Sequence, residues 1–387
     1  VTKSPGGPGQ EPFIGCRITV RESLQEGLGQ RWRALLADGR GHVFQTWEWN
    51  DAWMRTIGER QGVLPRVVEL TDADGTLMAL WPLGIYRRCG LRVLAFLGDV
   101  VSDYRAPVFG ATFPHNVSAG SFEALWASCL GRIRGVDLVD LTRMPVDIDG
   151  IANPMAALRD AAHTENAYAV DLPETPAAYF AGRPSKLMAD TRRQARRLAE
   201  LGQVAITPQQ QSAADWNAAF AAMVEQKSRR WQETDSRDLF AEPGYLQFYK
   251  ELGKTFGDTA QVSLCNLWVG EVITATQWGM IFRGRYYWIL PTYLAGEWGK
   301  YSCGRILLQH MIEWAIGQKL RVFDLTVGDE AYKKDWATSV LRLHGWRRAM
   351  TLRGRVFLGY LRLKQAARSS AFVRRVWTGL RKFRNRP

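Results

Sequence analysis

Hydrophobic positions change their period repeatedly along the chain, and each change marks an element. CRITVRE (16–22) alternates as a half-buried strand does. FQTWEWNDAWMRTIG (44–58) repeats at helical spacing, with Thr46 placed to cap its start and Gly58 to end it. LPRVVEL (64–70) and TLMALWPLGIYRR (76–88) flank a DADG turn, which predicts an antiparallel hairpin. LRVLAFLG (91–98) and VDLVDL (136–141) predict buried strands, with a helix near 120–134 between them.

Around residue 165 the pattern restarts. AYAVDL (167–172) reads as a strand, residues 184–201 as a helix ended by Gly202, and VAIT (204–207) as a strand. Helices are expected near 212–231 and 243–256, then strands at QVSLCNLWV (261–269), EVITATQWGMIF (271–282) and RYYWILP (285–291). SCGRILLQHMIEWAIG (302–317) puts Leu307, Met311, Trp314 and Ala315 on one helix face, and RVFDL (321–325) reads as a short buried strand. The stretches beginning at Gly75 and Gly270 share a turn glycine, a long strand and a basic end, which points to a duplicated unit.

A chain of 387 residues is long enough for two domains, each with its own core. Its balance of 46% hydrophobic and 23% charged residues is that of a soluble globular protein. No apolar run reaches the roughly 18 residues of a membrane span, and VTKSPGGPGQEP reads as a disordered lead without a secretory core, so a cytoplasmic location is expected. Five scattered cysteines without a C-x-x-C pair suggest a reducing compartment, and five dispersed histidines offer no ligand spacing, so no metal is expected. Trp47, Trp49 and Trp53 crowd one stretch, where packing is favoured over a sugar-stacking surface.

Formal charge is +13, but residues 351–387 hold eleven Lys or Arg and no acid, so the rest is nearly neutral. That distribution argues against a nucleic-acid groove across the folded body. From Ala371 onward Phe372, Val373, Val376, Trp377, Leu380 and Phe383 recur at helical spacing among basic residues. They predict an amphipathic helix able to lie on the inner face of the plasma membrane as a peripheral contact, to enter a partner's groove or meet nucleic acid, or to dock on its own body.

The segment 285–325 reads strand, loop, helix, strand. A small-residue loop opening into a helix leaves unpaired N–H groups pointing one way, with the helix dipole behind them. Ser302, Cys303, Gly304 and Arg305 occupy that position, as an anion seat or as a merely capped helix with Ser302 at the N-cap.

Strand order, the Y-S-x-G-R helix start and the F-D-L-x-x-G-D-E-x-Y-K-x-x-W segment resemble the GNAT-like acyltransferases of bacterial cellulose and polysaccharide synthesis, relatives of the FemABX peptidyltransferases. FQTWEW, LGDVVSDYRAPVF (97–109) and KLMADTRRQARRLAELG match as well, and the resemblance covers most of 16–350. It implies two tandem GNAT-like α/β (α+β) domains, with mixed, mainly antiparallel sheets flanked by helices, plus the C-terminal amphipathic helix. The expected division is a lead over 1–12, an N-terminal domain over 13–165, a C-terminal domain with the donor site over 166–352, and a basic tail over 353–387.

An acyl-CoA donor, with acetyl-CoA expected, would place its pyrophosphate at Ser302, Cys303, Gly304 and Arg305. The first domain has no comparable loop, so one donor site is expected, although this chain offers only Gly299 and Gly304 where the GNAT loop has a tighter glycine pattern. Tyr332, Lys333 and Trp336 match an aromatic-Lys-x-x-aromatic pattern that makes Lys333 the first catalytic candidate, as an oxyanion donor. The alternative is a surface charge paired with Asp329 or Glu330, and either carboxylate could instead be the general base if burial raised its pKa.

Asp103 and Tyr104 match a D-Y pair expected at the substrate. Lys186, Arg192, Arg193, Arg196 and Arg197 share one helix, where they either receive a phosphorylated or nucleotide-linked acceptor or are solvated charge. The function expected is acyl transfer to an amine or hydroxyl of a sugar-containing or other small acceptor. The competing readings are a FemABX-like transferase using charged tRNA, the one reading with a nucleic-acid partner, and a non-catalytic accessory protein of polysaccharide synthesis at the membrane.

Overall fold

The computed structural model describes residues 13–210, 212–255 and 260–369. The expected lead over 1–12 and the amphipathic segment from Ala371 lie outside the described residues.

In the first half the elements are β1 (Arg17–Arg21), α1 (Glu26–Asp38), α2 (Trp47–Trp53), β2 (Leu64–Pro65), β3 (Val67–Thr71), β4 (Leu77–Trp81), β5 (Leu83–Arg88) and β6 (Leu91–Phe96). They continue with β7 (Val108–Phe109), α3 (Ala119–Gly131), β8 (Leu138–Pro145), β9 (Asp147–Ile148) and β10 (Ile151–Ala152). The second half has β11 (Ala162–Asp171), α4 (Pro176–Ala181), α5 (Ser185–Ala199), β12 (Val204–Thr207), α6 (Ala213–Glu233), α7 (Tyr245–Thr255), β13 (Gln261–Val269), β14 (Val272–Phe282) and β15 (Arg285–Tyr293). It closes with α8 (Cys303–Gly317), β16 (Val322–Val327), α9 (Ala331–Trp336), β17 (Ser339–Ala349) and α10 (Leu352–Ser369).

The fold is α/β, with mixed, mainly antiparallel sheets flanked by helices. An eleven-stranded sheet runs β12-β13-β14-β15-β16-β11-β17-β8-β6-β5-β2, and β1-β3-β4-β7 form a second sheet. Two strand pairs in the large sheet are parallel, β15 with β16 and β6 with β8, and a helix joins the members of each, α8 and α3 respectively. This is the same strand–helix–strand unit twice, one per half, as a duplication requires.

The 44–58 helix forms as expected, with Thr46 Oγ accepting the Trp49 N–H at 3.3 Å, and its last turn is a π-helix over Met54–Gly58. The hairpin forms between β3 and β4, but the long strand expected over 76–88 breaks at Pro82. Its first part stays in the small sheet and its second part, β5, joins the large one, because proline cannot donate to a ladder. Trp47, Trp49 and Trp53 are all in the core, as favoured.

Sequence pattern did not reveal β17. It pairs with β11 on one side and β8 on the other, so the large sheet is continuous across the two halves, and the boundary placed at 165/166 falls inside β11. One apolar cluster likewise spans both halves, bringing Phe44, Trp49 and Tyr104 against Phe248, Trp278 and Tyr287.

Polar contacts lock the same seam. Asp324, fully buried in β16, accepts the Tyr104 hydroxyl at 2.6 Å and the Thr326 N–H at 2.8 Å on one oxygen, and Arg285 Nη1 at 2.9 Å on the other. His42 Nδ1 lies 3.2 Å from the Tyr287 hydroxyl, and Gln45 Nε2 donates to the Tyr104 carbonyl at 2.7 Å. Asp324→Ala leaves Arg285 largely buried without its counter-charge, so a loss of about 3–5 kcal/mol is expected in urea unfolding, against about 1 kcal/mol for Tyr104→Phe. A loss from Asp324→Ala as small as that from Tyr104→Phe would mean that the apolar core alone holds the seam.

Candidate active site

β15 and β16 run side by side for only three residue pairs, Arg285↔Val322, Tyr286↔Phe323 and Tyr287↔Asp324. Beyond Tyr287 they diverge. β15 stays with β14 out to Tyr293, whereas β16 follows β11, passing a bulge where Asp324 faces Ala169 and Thr326 faces Tyr168. Thr326 is held at φ 62°, a left-handed conformation rare for a β-branched residue. The Asp324 carboxylate fixes it there by accepting the Thr326 N–H. Backbone groups facing the gap between diverging parallel strands lack ladder partners, and in open α/β sheets such gaps at the carboxyl ends receive ligands.

Lysines reach the carbonyls on both sides of this gap. On the β16 side Lys333 Nζ donates to the Val327 carbonyl at 2.6 Å and pairs with Glu330 at 3.1 Å, while its side chain is only 5% exposed. Lys333 is thus buried yet paired with Glu330, whose own side chain is 58% exposed. α9, which carries Lys333, is clamped by the Tyr179 hydroxyl, which donates to the Trp336 carbonyl at 2.5 Å, and by Arg183, which donates to the Trp336 and Ala337 carbonyls. Gly328, at φ 124°, precedes α9, and a Cβ there would lie 2.4 Å from a Glu330 carboxylate oxygen.

Lys227 in α6 lies on the β15 side, with Nζ 3.4 Å from the Pro291 carbonyl. Burial brings its ammonium down to about 8, with Glu330 and Asp103 opposing the fall and Lys333 and Arg230 adding to it. Sequence reading missed Lys227, whose one signal was its place in the dense E-Q-K-S-R-R run of a helix covering the sheet. Also missed was a buried polar row under α6: Asn266, Thr276 and Thr292 sit in register on β13, β14 and β15. Thr276 donates to Gln226, whereas the Asn266 amide and the Thr292 hydroxyl have no hydrogen-bond partner among the described residues.

Asp103 arrives from the first half. Arg143 lies 3.5 Å away, and burial raises the Asp103 carboxyl even though Arg143, Lys333 and a hydrogen bond from Thr326 oppose the rise. Tyr104 beside it is 1% exposed and gives its hydroxyl to Asp324, so it braces the gap instead of presenting a donor to a ligand.

Of the other residues on the 329–333 segment, Asp329 accepts hydrogen bonds from the Tyr168 hydroxyl at 2.7 Å and from Asn166 Nδ2 at 3.1 Å. These hold its carboxyl below the ordinary range, opposite to the rise a general base at this position needs. Tyr332 packs against the core of the second half, and burial pushes its phenol up.

At the mouth of the gap α8 starts where expected. Ser302 takes the left-handed conformation at φ 54°, the turn a glycine would otherwise make, and its side chain does not cap the helix. The Arg305 and Ile306 N–H groups both bond the Ser302 carbonyl, while those of Cys303 and Gly304 have no acceptor among the described residues. Gly304 lies against Tyr293, whose ring a Cβ would approach to 3.0 Å. Arg305 turns its guanidinium toward Asp190 of α5, which also pairs with Arg193. Arg197 sits 5.5 Å over the Tyr301 ring. The structure thus brings Arg193, Arg197 and Arg305 to one end of α8, and leaves Lys186 exposed on the first turn of α5.

Because Lys227 is held near 8 when folded and near 10.5 when unfolded, the unfolded chain binds the extra proton between those values. Wild-type stability relative to Lys227→Met should therefore rise as pH increases from about 8 to about 10.5, read by urea unfolding at each pH. A flat difference across that window would place Nζ in bulk solvent.

Residues 185–334, from the start of α5 through Lys334, match the acetyltransferase (GNAT) domain model. No curated protein matches the chain in sequence. Among solved structures, FemX superposes with a TM-score of 0.55 at 9% identity, covering 82% of this chain and 95% of its own. The C-terminal domain of a putative lysylphosphatidylglycerol synthetase from Agrobacterium fabrum gives 0.50 at 11% identity, covering 86% and 95%. L-PGS from Bacillus licheniformis gives 0.50 at 13% identity, with the same coverage. No helix among the described residues is long and apolar enough to cross a membrane. Residues 185–334 are thus similar to the acetyltransferase (GNAT) domain, in a fold shared with FemX, and the protein is a transferase.

Proposed function

We propose that the protein transfers an acyl group from acyl-CoA to an amine or hydroxyl of a small acceptor, with sugar-containing acceptors the class of choice. The observation that carries this reading is the gap between β15 and β16, with unpaired Cys303 and Gly304 amides at its mouth and the buried Lys333 on its wall.

The donor's pyrophosphate would take the α8 amides, with Arg193, Arg197 and Arg305 adding positive charge. The thioester would extend between the diverging strands toward Lys333. The acceptor would enter from the α6 side, where Asn266 and Thr292 offer buried polar groups without partners. Its nitrogen or oxygen attacks the thioester carbonyl, the C–S bond breaks, and CoA leaves as the thiol, carrying the proton that the acceptor gives up. Lys333 stabilises the charge on the carbonyl oxygen, at some cost to its bond with Val327. Lys227, held near 8, is placed to accept the acceptor's proton and pass it on, since a base works best when it titrates near the working pH. Asp103, delivered from the first half, fixes the orientation of this set through Arg143 and Thr326.

A donor other than acyl-CoA, the charged tRNA of a FemABX-like enzyme, is tested by titration calorimetry. CoA should bind the wild type, and Arg305→Ala together with Arg193→Ala should weaken it about tenfold or more. An absence of CoA binding with transfer from charged tRNA would select that donor. With acetyl-CoA and an amino-sugar as substrates, Lys333→Ala should lower kcat about 10²- to 10³-fold, as loss of one oxyanion donor does, while CoA affinity stays near the wild-type value. Unchanged kcat in Lys333→Ala would contradict the proposal and support an accessory role without catalysis. Location at polysaccharide synthesis on the inner membrane face is part of the same proposal, resting on the basic charge of residues 351–387.

A further inference from the structure

The first half repeats the strand–helix–strand unit of the second, with β6, α3 and β8 standing where β15, α8 and β16 stand. Its counterpart of the gap is filled by the protein's own loop. The Arg105 N–H bonds the Arg143 carbonyl at 3.0 Å, Arg105 Nη1 reaches Thr142 at 2.6 Å, and Arg143 Nη1 lies 3.4 Å from the Ser102 carbonyl. No thioester can lie there. The start of α3 is nevertheless open on its other side, to a cavity of about 140 Å³.

Arg40 lines this cavity. It is 9% exposed, it forms no ion pair among the described residues, and its guanidinium has no hydrogen-bond acceptor among them; it lies over the Phe109 ring, 5.4 Å from its centre. A guanidinium on a residue so little exposed, with no ion-pair partner among the described residues, leaves an unneutralised positive charge on the cavity wall, where an anion gains more from it than on open surface. Burial pulls the Arg40 guanidinium down, with only the exposed Asp149 opposing.

Ala119, the first residue of the 13-residue helix α3, lines the same space. Ser118 Oγ caps the Ser121 N–H at 3.1 Å, and the Ala119 and Gly120 N–H groups have no acceptor among the described residues. Two cationic features therefore meet in one small space. Its other walls are Phe113, Val117, Phe122 and Leu158, with His115 exposed at the edge. A cavity of comparable volume holds a benzene-sized molecule.

We infer that this cavity is a second ligand site, separate from the transferase gap, that binds a small organic carboxylate: the anion on Arg40 and the α3 amides, its short apolar body against Phe113, Phe122 and Leu158. Inorganic phosphate carries the charge but has no apolar body, and a larger nucleotide exceeds the volume.

The test is ligand-detected NMR and calorimetry on the full chain, with sodium benzoate, sodium butyrate and inorganic phosphate as probes. Benzoate or butyrate should bind at least about tenfold more tightly than phosphate, and Arg40→Met should weaken carboxylate binding about tenfold or more. Because Arg40→Met removes a buried group, Ala119→Trp provides the second variant: it fills the cavity from its exposed side, and should abolish carboxylate binding while circular dichroism and CoA binding stay unchanged. Failure of all three anions to bind the wild type overturns the site. So does carboxylate binding undiminished in Ala119→Trp, whatever the fate of Arg40→Met. Preference for phosphate overturns the assignment of ligand class. Since CoA binding is read in parallel, loss of the donor reading leaves this result standing, and the reverse.

Discussion

One buried carboxylate sets the geometry on which the rest depends. Asp324 stands at the last paired position of β15 and β16, and its three donors come from three parts of the chain: Tyr104 from the first half, Arg285 from the start of β15, and the backbone of Thr326 two residues on. A buried carboxylate with three good donors is satisfied, and removing any of them exposes the others to the cost of burial without a partner. The same contacts therefore fix the divergence of the strands, the left-handed turn at Thr326 and the docking of one half on the other.

Site chemistry follows from that fork. The turn at Thr326 presents the carbonyls of Thr326 and Val327 to Lys333, which explains how an ammonium can sit at 5% exposure: it is hydrogen-bonded to backbone on one side and paired with Glu330 on the other. Lys227 faces the opposite strand, where burial loosens its hold on its proton, with Lys333 adding to the effect and the carboxylates opposing it. A lysine on one wall to stabilise developing negative charge and a second, Lys227, whose proton is loosely held suit transfer chemistry. The two halves use one architecture differently. In the second the fork stays open, and in the first the 97–109 loop closes it and carries Asp103 across the seam.

Much of this was legible in sequence where a local rule governs. Thr46 as cap, the DADG hairpin, the α8 face of Leu307, Met311 and Ala315, and the small-residue helix start at Ser302 all follow from spacing and turn chemistry. β17 was not, because its register carries arginines and Gly345 on positions that a period-two reading expects to be apolar, and its place is decided by strands from both halves. Pro82 was visible as a residue but not as the point where the chain leaves one sheet for another. Tyr104 was recognisable by its motif, yet its partner Asp324 lies 220 positions away, and only the fold shows that its hydroxyl faces inward. Lys227 was hidden for the same reason: its low proton affinity is a property of burial and of neighbours such as Glu330, Lys333 and Asp103, which lie far from it in sequence.

The most direct measurement is NMR of the Cys303 and Gly304 backbone amides in selectively labelled full-length protein as CoA is added. The account predicts that both amide protons move downfield on saturation, as hydrogen bonds to phosphate require, and that amides of the first half stay in place. Transfer activity from CoA thioesters with both resonances unmoved would contradict it.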